Sequence, residues 1–197
     1  MDRYAVIGNP IAHSKSPQIH AAFARQTGQE LSYEALLAPV DGFAQTVADF
    51  RAHGGRGLNV TVPFKLEAFA LAERHTARAQ AAGAVNTLAF GADGILGDNT
   101  DGAGLVRDLS ANLNFALAGR RILLLGAGGA ARGVVGPLLG EQPESLTIAN
   151  RTVVRARSLA EHFAATGPVT GCGYDELAGR QFDIVINATS ASLSGTM

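Results

Sequence analysis

Arg121-Ile122-Leu123-Leu124-Leu125-Gly126-Ala127-Gly128-Gly129-Ala130-Ala131-Arg132 is the stretch that decides the fold. Ile122 to Leu125 form a short apolar run without alternation, the pattern of a parallel strand covered on both faces. Gly126, Gly128 and Ala131 then fit the G-x-G-x-x-A form of the dinucleotide fingerprint. The first glycine permits a tight turn and the second lets a pyrophosphate approach the backbone. The small third residue lets the helix lie close to the strand. A helix predicted over Ala130 to Leu139 would offer its free N–H groups to the phosphates, so Gly126, Ala127, Gly128, Gly129 and Ala130 are the expected cofactor loop. Glycine-rich turns abound in a chain with 24 glycines, and it is the strand before and the helix after that give this one meaning.

The next strand of that unit, Ser145 to Ala149, ends in Asn150-Arg151-Thr152, with Arg155 further on. NAD binders place an Asp or Glu near this point to hold the ribose 2′-hydroxyl. Here two guanidinium groups stand instead, suited to a 2′-phosphate, and Arg151 could also stack on the adenine. Two arginines at a helix start oppose its dipole, at about 0.3–1 kcal/mol each, which is easier to understand if an anion sits there. A solvated helix start with Thr152 merely capping it is the plainer alternative. NADP is the expected cofactor.

Working outward, 197 residues suffice for one large domain or two small ones. With 47% hydrophobic and 17% charged residues the chain is globular rather than disordered. A net charge of −1 gives no reason to expect nucleic acid or an anionic membrane as partner. No apolar run approaches a membrane span, and Met1-Asp2-Arg3 leads into a strand rather than a signal peptide. The lone Cys172 excludes an internal disulfide and suits a reducing cytoplasm.

Along the first half, Tyr4 to Gly8 and Leu31 to Leu37 read as strands. Between them, Ser16 has the form of an N-cap before Pro17, followed by a helical stripe of Ile19, Ala22 and Phe23 that Gly28 closes. A helix is expected from about Asp41 to His53. Gly57 to Pro63 alternates like a strand, with a helical stretch opening at Phe64-Lys65. Ala84 to Phe90 and Ile95-Leu96 suggest a hairpin across Asp93-Gly94. A helix from Asn99-Thr100-Asp101-Gly102 to about Leu113 comes next, and in the second half strands at Pro168 to Thr170 and Asp183 to Ile186. The alternation implies an α/β chain with mostly parallel pairing, its two domains divided at 1–114 and 115–197.

Two residues stand out as candidate chemistry. Lys65 falls at a helix start, where the dipole disfavours a cation, and a lysine ready to give up its proton can shuttle protons near neutrality. Asp101 falls at another, where a carboxylate is kept ionised. Converging on one hydroxyl, the two could manage the proton that accompanies hydride transfer. Taken singly, Asp101 would also serve as an N-cap and Lys65 as a solvated side chain. The five histidines show no metal-ligand spacing, so no metal is expected.

Ser14-Lys15-Ser16-Pro17, Asn59-Val60-Thr61-Val62-Pro63-Phe64-Lys65, Gly83-Ala84-Val85-Asn86-Thr87 and Asn99-Thr100-Asp101-Gly102 stand in the order seen in shikimate dehydrogenases, which the chain resembles throughout. Gly126 to Ala130, Asn150-Arg151-Thr152 and Asn187-Ala188-Thr189-Ser190 continue the resemblance. It implies an N-terminal α/β substrate-binding domain followed by a Rossmann-type NADP-binding domain, incomplete at its C-terminus. The implied activity is NADPH-linked reversible reduction of 3-dehydroshikimate to shikimate, in aromatic amino acid biosynthesis. Ser14 and Ser16 match carboxylate binders with Thr61 beside them. Asn59, Asn86, Lys65 and Asp101 match binders of the ring hydroxyls, with Lys65 and Asp101 catalytic. Thr189 and Ser190 match cofactor-side residues.

Serines at the carboxylate site and arginines at the 2′-position resemble the NADP/shikimate branch. A quinate/shikimate dehydrogenase with relaxed substrate choice is one alternative; a non-catalytic sensor of shikimate or nucleotide is another, disfavoured by the presence of both Lys65 and Asp101. A cytoplasmic enzyme acting on a small molecule, with a homodimer among its assemblies, is expected. Two departures accompany the resemblance. Ser192 stands where the family has glycine, and the segments that follow in the family, with a tyrosine and a glutamine that reach substrate, do not follow here. The expectation is a C-terminally truncated polypeptide that aggregates or shows negligible turnover alone, with Asp183 to Asn187 as an uncovered edge strand.

Overall fold

The computed structural model describes residues 1–189, and the chain divides into two compact units, Met1–Asn99 and Thr100–Met197. The first contains β1 (Asp2–Gly8), α1 (Ser16–Thr27), β2 (Leu31–Leu37), α2 (Phe43–Ala52), β3 (Gly55–Val60), α3 (Lys65–Leu71), β4 (Arg74–His75), α4 (Ala77–Ala82), β5 (Thr87–Gly91) and β6 (Gly94–Asp98). Its sheet has the order β2-β1-β3-β5-β6-β4. The β1–β2, β1–β3 and β4–β6 pairs are parallel, whereas β3–β5 and β5–β6 are antiparallel. The hairpin turns at Ala92-Asp93, one residue earlier than the Asp93-Gly94 expected, and Gly94, which opens β6 opposite Gly91, holds φ +96°, a value only glycine takes without strain.

Alternation along these strands sorts the two faces. Ala5, Ile7, Leu58 and Val60 join Phe43, Val47 and Phe50 of α2 in the buried core, where Phe43 stacks on Phe64 at 4.9 Å. Tyr4 and Val6 are in register with Tyr33 of β2 and Asn59 of β3, so those two polar side chains share the opposite face. There His20 of α1 stacks on Tyr33, centroids 4.0 Å apart and nearly coplanar.

The second unit contains α5 (Asp101–Arg107) running into a π-helical turn at Asp108–Asn112, then β7 (Arg121–Leu125), α6 (Gly129–Gly140), β8 (Ser145–Ala149), α7 (Val153–Phe163), β9 (Val169–Cys172), a 3-10 turn at Asp175–Leu177 and β10 (Ile184–Asn187). All its strand pairs are parallel, in the order β10-β7-β8-β9. Ile122, Leu124, Ile148, Val135, Leu138, Leu159 and Phe163 form its buried core, as the unalternating apolar run of β7 requires. β10 is the outermost strand among the described residues, with Val185 57% exposed. Arg121 ties it to β7, donating from its backbone N–H and its guanidinium to Asp183 at 2.8–3.2 Å.

The division between units falls at Asn99, not between 114 and 115. The cause is α5, which packs on α6. Pro137 has no N–H for the carbonyl of Gly133, and a Cβ on Gly102 would collide with that carbonyl and with the proline ring. Glycine at 102 is therefore what lets the two helices touch, and it carries the helix beginning at Asp101 into the second unit.

Candidate functional site

The first unit gathers its candidate residues at the carboxyl ends of β1 and β3. Because β2 and β3 lie on opposite sides of β1, this is a topological switch point, the place where open α/β sheets leave a crevice. The loop after β1 bears Ser14 and Ser16, both half-buried. Ser16 is not the N-cap that its place before Pro17 suggests. It is the first residue of α1, and the Ser14 hydroxyl accepts from its backbone N–H at 3.3 Å. The serine two residues earlier supplies the missing acceptor. Thr61 follows β3, its N–H donating to Ile7 O at 3.0 Å, and its methyl occupies the space that a side chain at Gly8 would need.

Asn59, Tyr33, Thr87 and Asn86 form one connected chain. The Tyr33 hydroxyl donates to Asn59 Oδ1 at 2.6 Å, Asn59 Nδ2 to Thr87 Oγ1 at 3.3 Å, and Thr87 Oγ1 to Asn86 Oδ1 at 2.9 Å. The Tyr33 phenol stands at the head of this chain. Burial pushes that phenol up to about 12, so it remains a neutral donor near pH 7. Burial also lowers His20, the ring stacked upon it. Tyr33, Thr87 and His20 stand among these candidate residues, and sequence reading singled out none of them. A tyrosine facing the covered side of a strand needs a partner for its hydroxyl, and that was the one available signal.

Asn86 is 8% exposed and is held by its backbone as well, donating to Asp98 O at 2.9 Å while its carbonyl accepts from Val60 N–H at 2.7 Å. Asp98 is itself caged by Arg78, the Thr76 hydroxyl and the Asn99 N–H, and these donors, led by Arg78, hold its carboxyl down at about 2. Asn99, 3% exposed, donates from its side chain to Ala84 O. Lys65 opens α3, its carbonyl accepting from Val85 N–H at 2.9 Å, which brings the helix start beside the Asn86 segment.

In the second unit, Asp101 is the first residue of α5, one past the cap position that Thr100 occupies. The fingerprint turn has the expected division of labour. Gly126 lies at φ +109°, and a Cβ there would stand 2.9 Å from Ala188 O beyond β10. Gly128 faces open space, with no atom within 4 Å of where its Cβ would be. Ala131 is fully buried against the strand. The start of α6, at Gly129 and Ala130, has neither a side-chain cap nor an acidic residue in its first turn. Thr189 sits at the same switch point, giving both its N–H and its hydroxyl to Asn187 Oδ1. Ser190 and Ser192 lie outside the described residues.

At the end of β8, Asn150 donates to Thr152 O at 3.0 Å. Thr152 is the N-cap residue of α7 but makes no side-chain cap bond, so capping does not explain it. Arg151 and Arg155 are exposed, and among the described residues neither forms an ion pair. A dinucleotide with a 2′-phosphate fits this set: an open glycine, an uncapped and acid-free helix start, and two unpaired guanidinium groups.

Fold and site thus define a dinucleotide-binding α/β protein that carries a separate α/β unit ahead of its nucleotide fold. Residues 6–88 match the shikimate dehydrogenase substrate binding domain model, and residues 109–194 the shikimate / quinate 5-dehydrogenase model. The chain belongs to the shikimate dehydrogenase family. It is 65% identical over 196 residues to the shikimate dehydrogenase (NADP(+)) of Nitrosospira multiformis, covering 100% of this chain and 71% of that protein. To the one of Aromatoleum aromaticum it is 66% identical, covering 98% and 71%. Among solved structures, shikimate 5-dehydrogenase from Thermus thermophilus in complex with NADP(H) and shikimate superimposes with a TM-score of 0.84 at 37% identity, over 96% of this chain and 69% of that one. No helix among the described residues is long and apolar enough to cross a membrane.

Proposed function

We infer that this chain works as an NADP-dependent oxidoreductase interconverting 3-dehydroshikimate and shikimate. The observation that carries the reading is the end of β8, where Asn150 and two unpaired arginines replace the acid of an NAD site, in a chain whose other unit presents a connected set of neutral hydrogen-bonding side chains. The cofactor is proposed to lie over Gly126 to Ala130, with Arg151 and Arg155 at its 2′-phosphate, Asn150 and Thr152 beside them, and Thr189 and Ser190 near its other half. When bound, it supplies the hydride. Ser14, Ser16 and Thr61 are assigned to the substrate carboxylate, Asn59 and Asn86 to ring hydroxyls. Lys65 and Asp101 are assigned to the reacting hydroxyl, one able to carry the positive charge and the other to accept the proton.

The names of the relatives favour this substrate over the quinate-using and the sensing alternatives. The proposed setting is the reducing cytoplasm, which suits the buried free thiol of Cys172, and the homodimer is tested by sedimentation. The deciding assay is NADPH oxidation with 3-dehydroshikimate, run beside NADH and 3-dehydroquinate and paired with calorimetric titration of each ligand. Preference for NADPH and 3-dehydroshikimate is expected. Equal use of NADH, or binding of quinate as tight as shikimate, would overturn it.

A further inference from the structure

We propose that Tyr33 is a positioning residue for the substrate site, setting the donor and acceptor polarity of Asn59 and Asn86 through a one-way chain of hydrogen bonds. The inference rests on the function proposed above and assigns a role to residues that it leaves out, Tyr33 and Thr87.

An asparagine amide can present either its oxygen or its nitrogen to a ligand, and the two orientations are nearly equal in shape. What selects one is the partner at the other end. Here every bond runs in the same direction. Tyr33 gives its only proton to Asn59 Oδ1 at 2.6 Å, so the oxygen of that amide is committed and the nitrogen must face away from the phenol. One of its N–H groups goes to Thr87 Oγ1. The hydroxyl of Thr87, having accepted there, gives its own proton to Asn86 Oδ1, and this commits the second amide in the same sense. Asn86 thereby has its amide oxygen turned to Thr87. The second N–H of Asn59 has no protein acceptor among the described residues, and the amide is not left buried and unsatisfied. It is a donor held ready for a ligand oxygen.

The start of the chain is built to be stable. A phenol whose proton is retained to about pH 12 cannot reverse the direction by ionising. The ring is fixed by stacking on His20 at 4.0 Å. Chains of this kind hold their members better than separate pairs do.

Tyr33→Phe removes the proton and keeps the ring over His20. With Asn59 free to turn, shikimate affinity measured by calorimetry should fall on the order of tenfold, the effect of one misdirected hydrogen bond. Affinity for NADP⁺ and the melting temperature should hold. Thr87→Val cuts the chain at its middle and should weaken shikimate similarly, Thr87→Ser should restore it, and the double variant Tyr33→Phe/Thr87→Val should lose less than the sum of the two single losses. In the ligand-free protein, side-chain amide NMR signals of both Asn59 and Asn86 should move in Tyr33→Phe, the second through Thr87. Unchanged shikimate affinity in Tyr33→Phe, an equal loss for NADP⁺, or an Asn86 amide that ignores Tyr33 would overturn the proposal. A wild-type protein that fails to bind shikimate would instead sink the proposed function, and the NMR comparison would still decide whether the relay exists.

Discussion

The two glycines of the fingerprint, Gly126 and Gly128, should fail in opposite ways when each is given a methyl group. Gly126→Ala meets two penalties. At φ +109° an L side chain is strained, at about 1–3 kcal/mol. Its Cβ would also stand 2.9 Å from Ala188 O and 3.1 Å from the carbonyl carbon, both backbone atoms that no rotamer change can move. Overpacking of that kind adds about 1–3 kcal/mol. A total near 3 kcal/mol raises the open population of the second unit about a hundredfold. Hydrogen exchange read by mass spectrometry should show that loss of protection in peptides from β7, α6 and β10, while β1 and β3 keep theirs. Gly128→Ala points its methyl into open space at φ −91°, and the cap position costs at most about 1 kcal/mol. Protection should stay close to wild type, yet NADP⁺ binding should fall by tenfold or more if a pyrophosphate lies against that backbone. Wild-type protection of β7 in Gly126→Ala would refute the steric reasoning. Undiminished NADP⁺ binding by Gly128→Ala would refute the placement of the cofactor.

Three further outcomes are expected. Lys65→Ala should lower kcat by roughly 10²–10⁴, the reach of a positioned acid–base group, with substrate affinity changing less; near-normal turnover would remove it from the chemistry. Arg151→Ala should weaken NADPH by about 1.5–3 kcal/mol and leave NADH nearly untouched, as competitive titration would show, whereas equal losses would mean that it reads adenine or fold. Asp98, held at about 2 against an ordinary 3.8, stabilises the folded state above pH 4, and that contribution is lost as pH falls from about 4 towards 2. Asp98→Asn should therefore flatten the acid limb of stability over that window, and an unchanged acid limb in urea titrations would contradict the assignment.

Those tests act on features that differ in how far the sequence could disclose them. Leu31–Leu37 and Ser145–Ala149 were legible to the residue, since short, largely apolar runs bounded by turns need no distant information. β4 and α4 were missed for the opposite reason. Arg74–His75 is a strand only because β6 lies beside it, and Ala77–Ala82 carries too few apolar positions to show a period. The division at Asn99 was out of reach, because it depends on Gly102 meeting the Gly133 carbonyl and the Pro137 ring. Site residues follow the same rule. The fingerprint is local, and so it could be read. Serine before proline is a local signal too, yet the acceptor for the Ser16 N–H is Ser14, and Ser16 is the first residue of the helix rather than its cap. The members of the Tyr33 chain come from β2, β3 and the start of β5, and only the register of the sheet puts them on one face. A residue's identity can announce that it needs a partner, as Tyr33 does, but the identity of the partner is a property of strand order. The orientation of Asn59, and with it whether the site offers a donor or an acceptor to a ring hydroxyl, is therefore decided by the topology rather than by the motif that contains it.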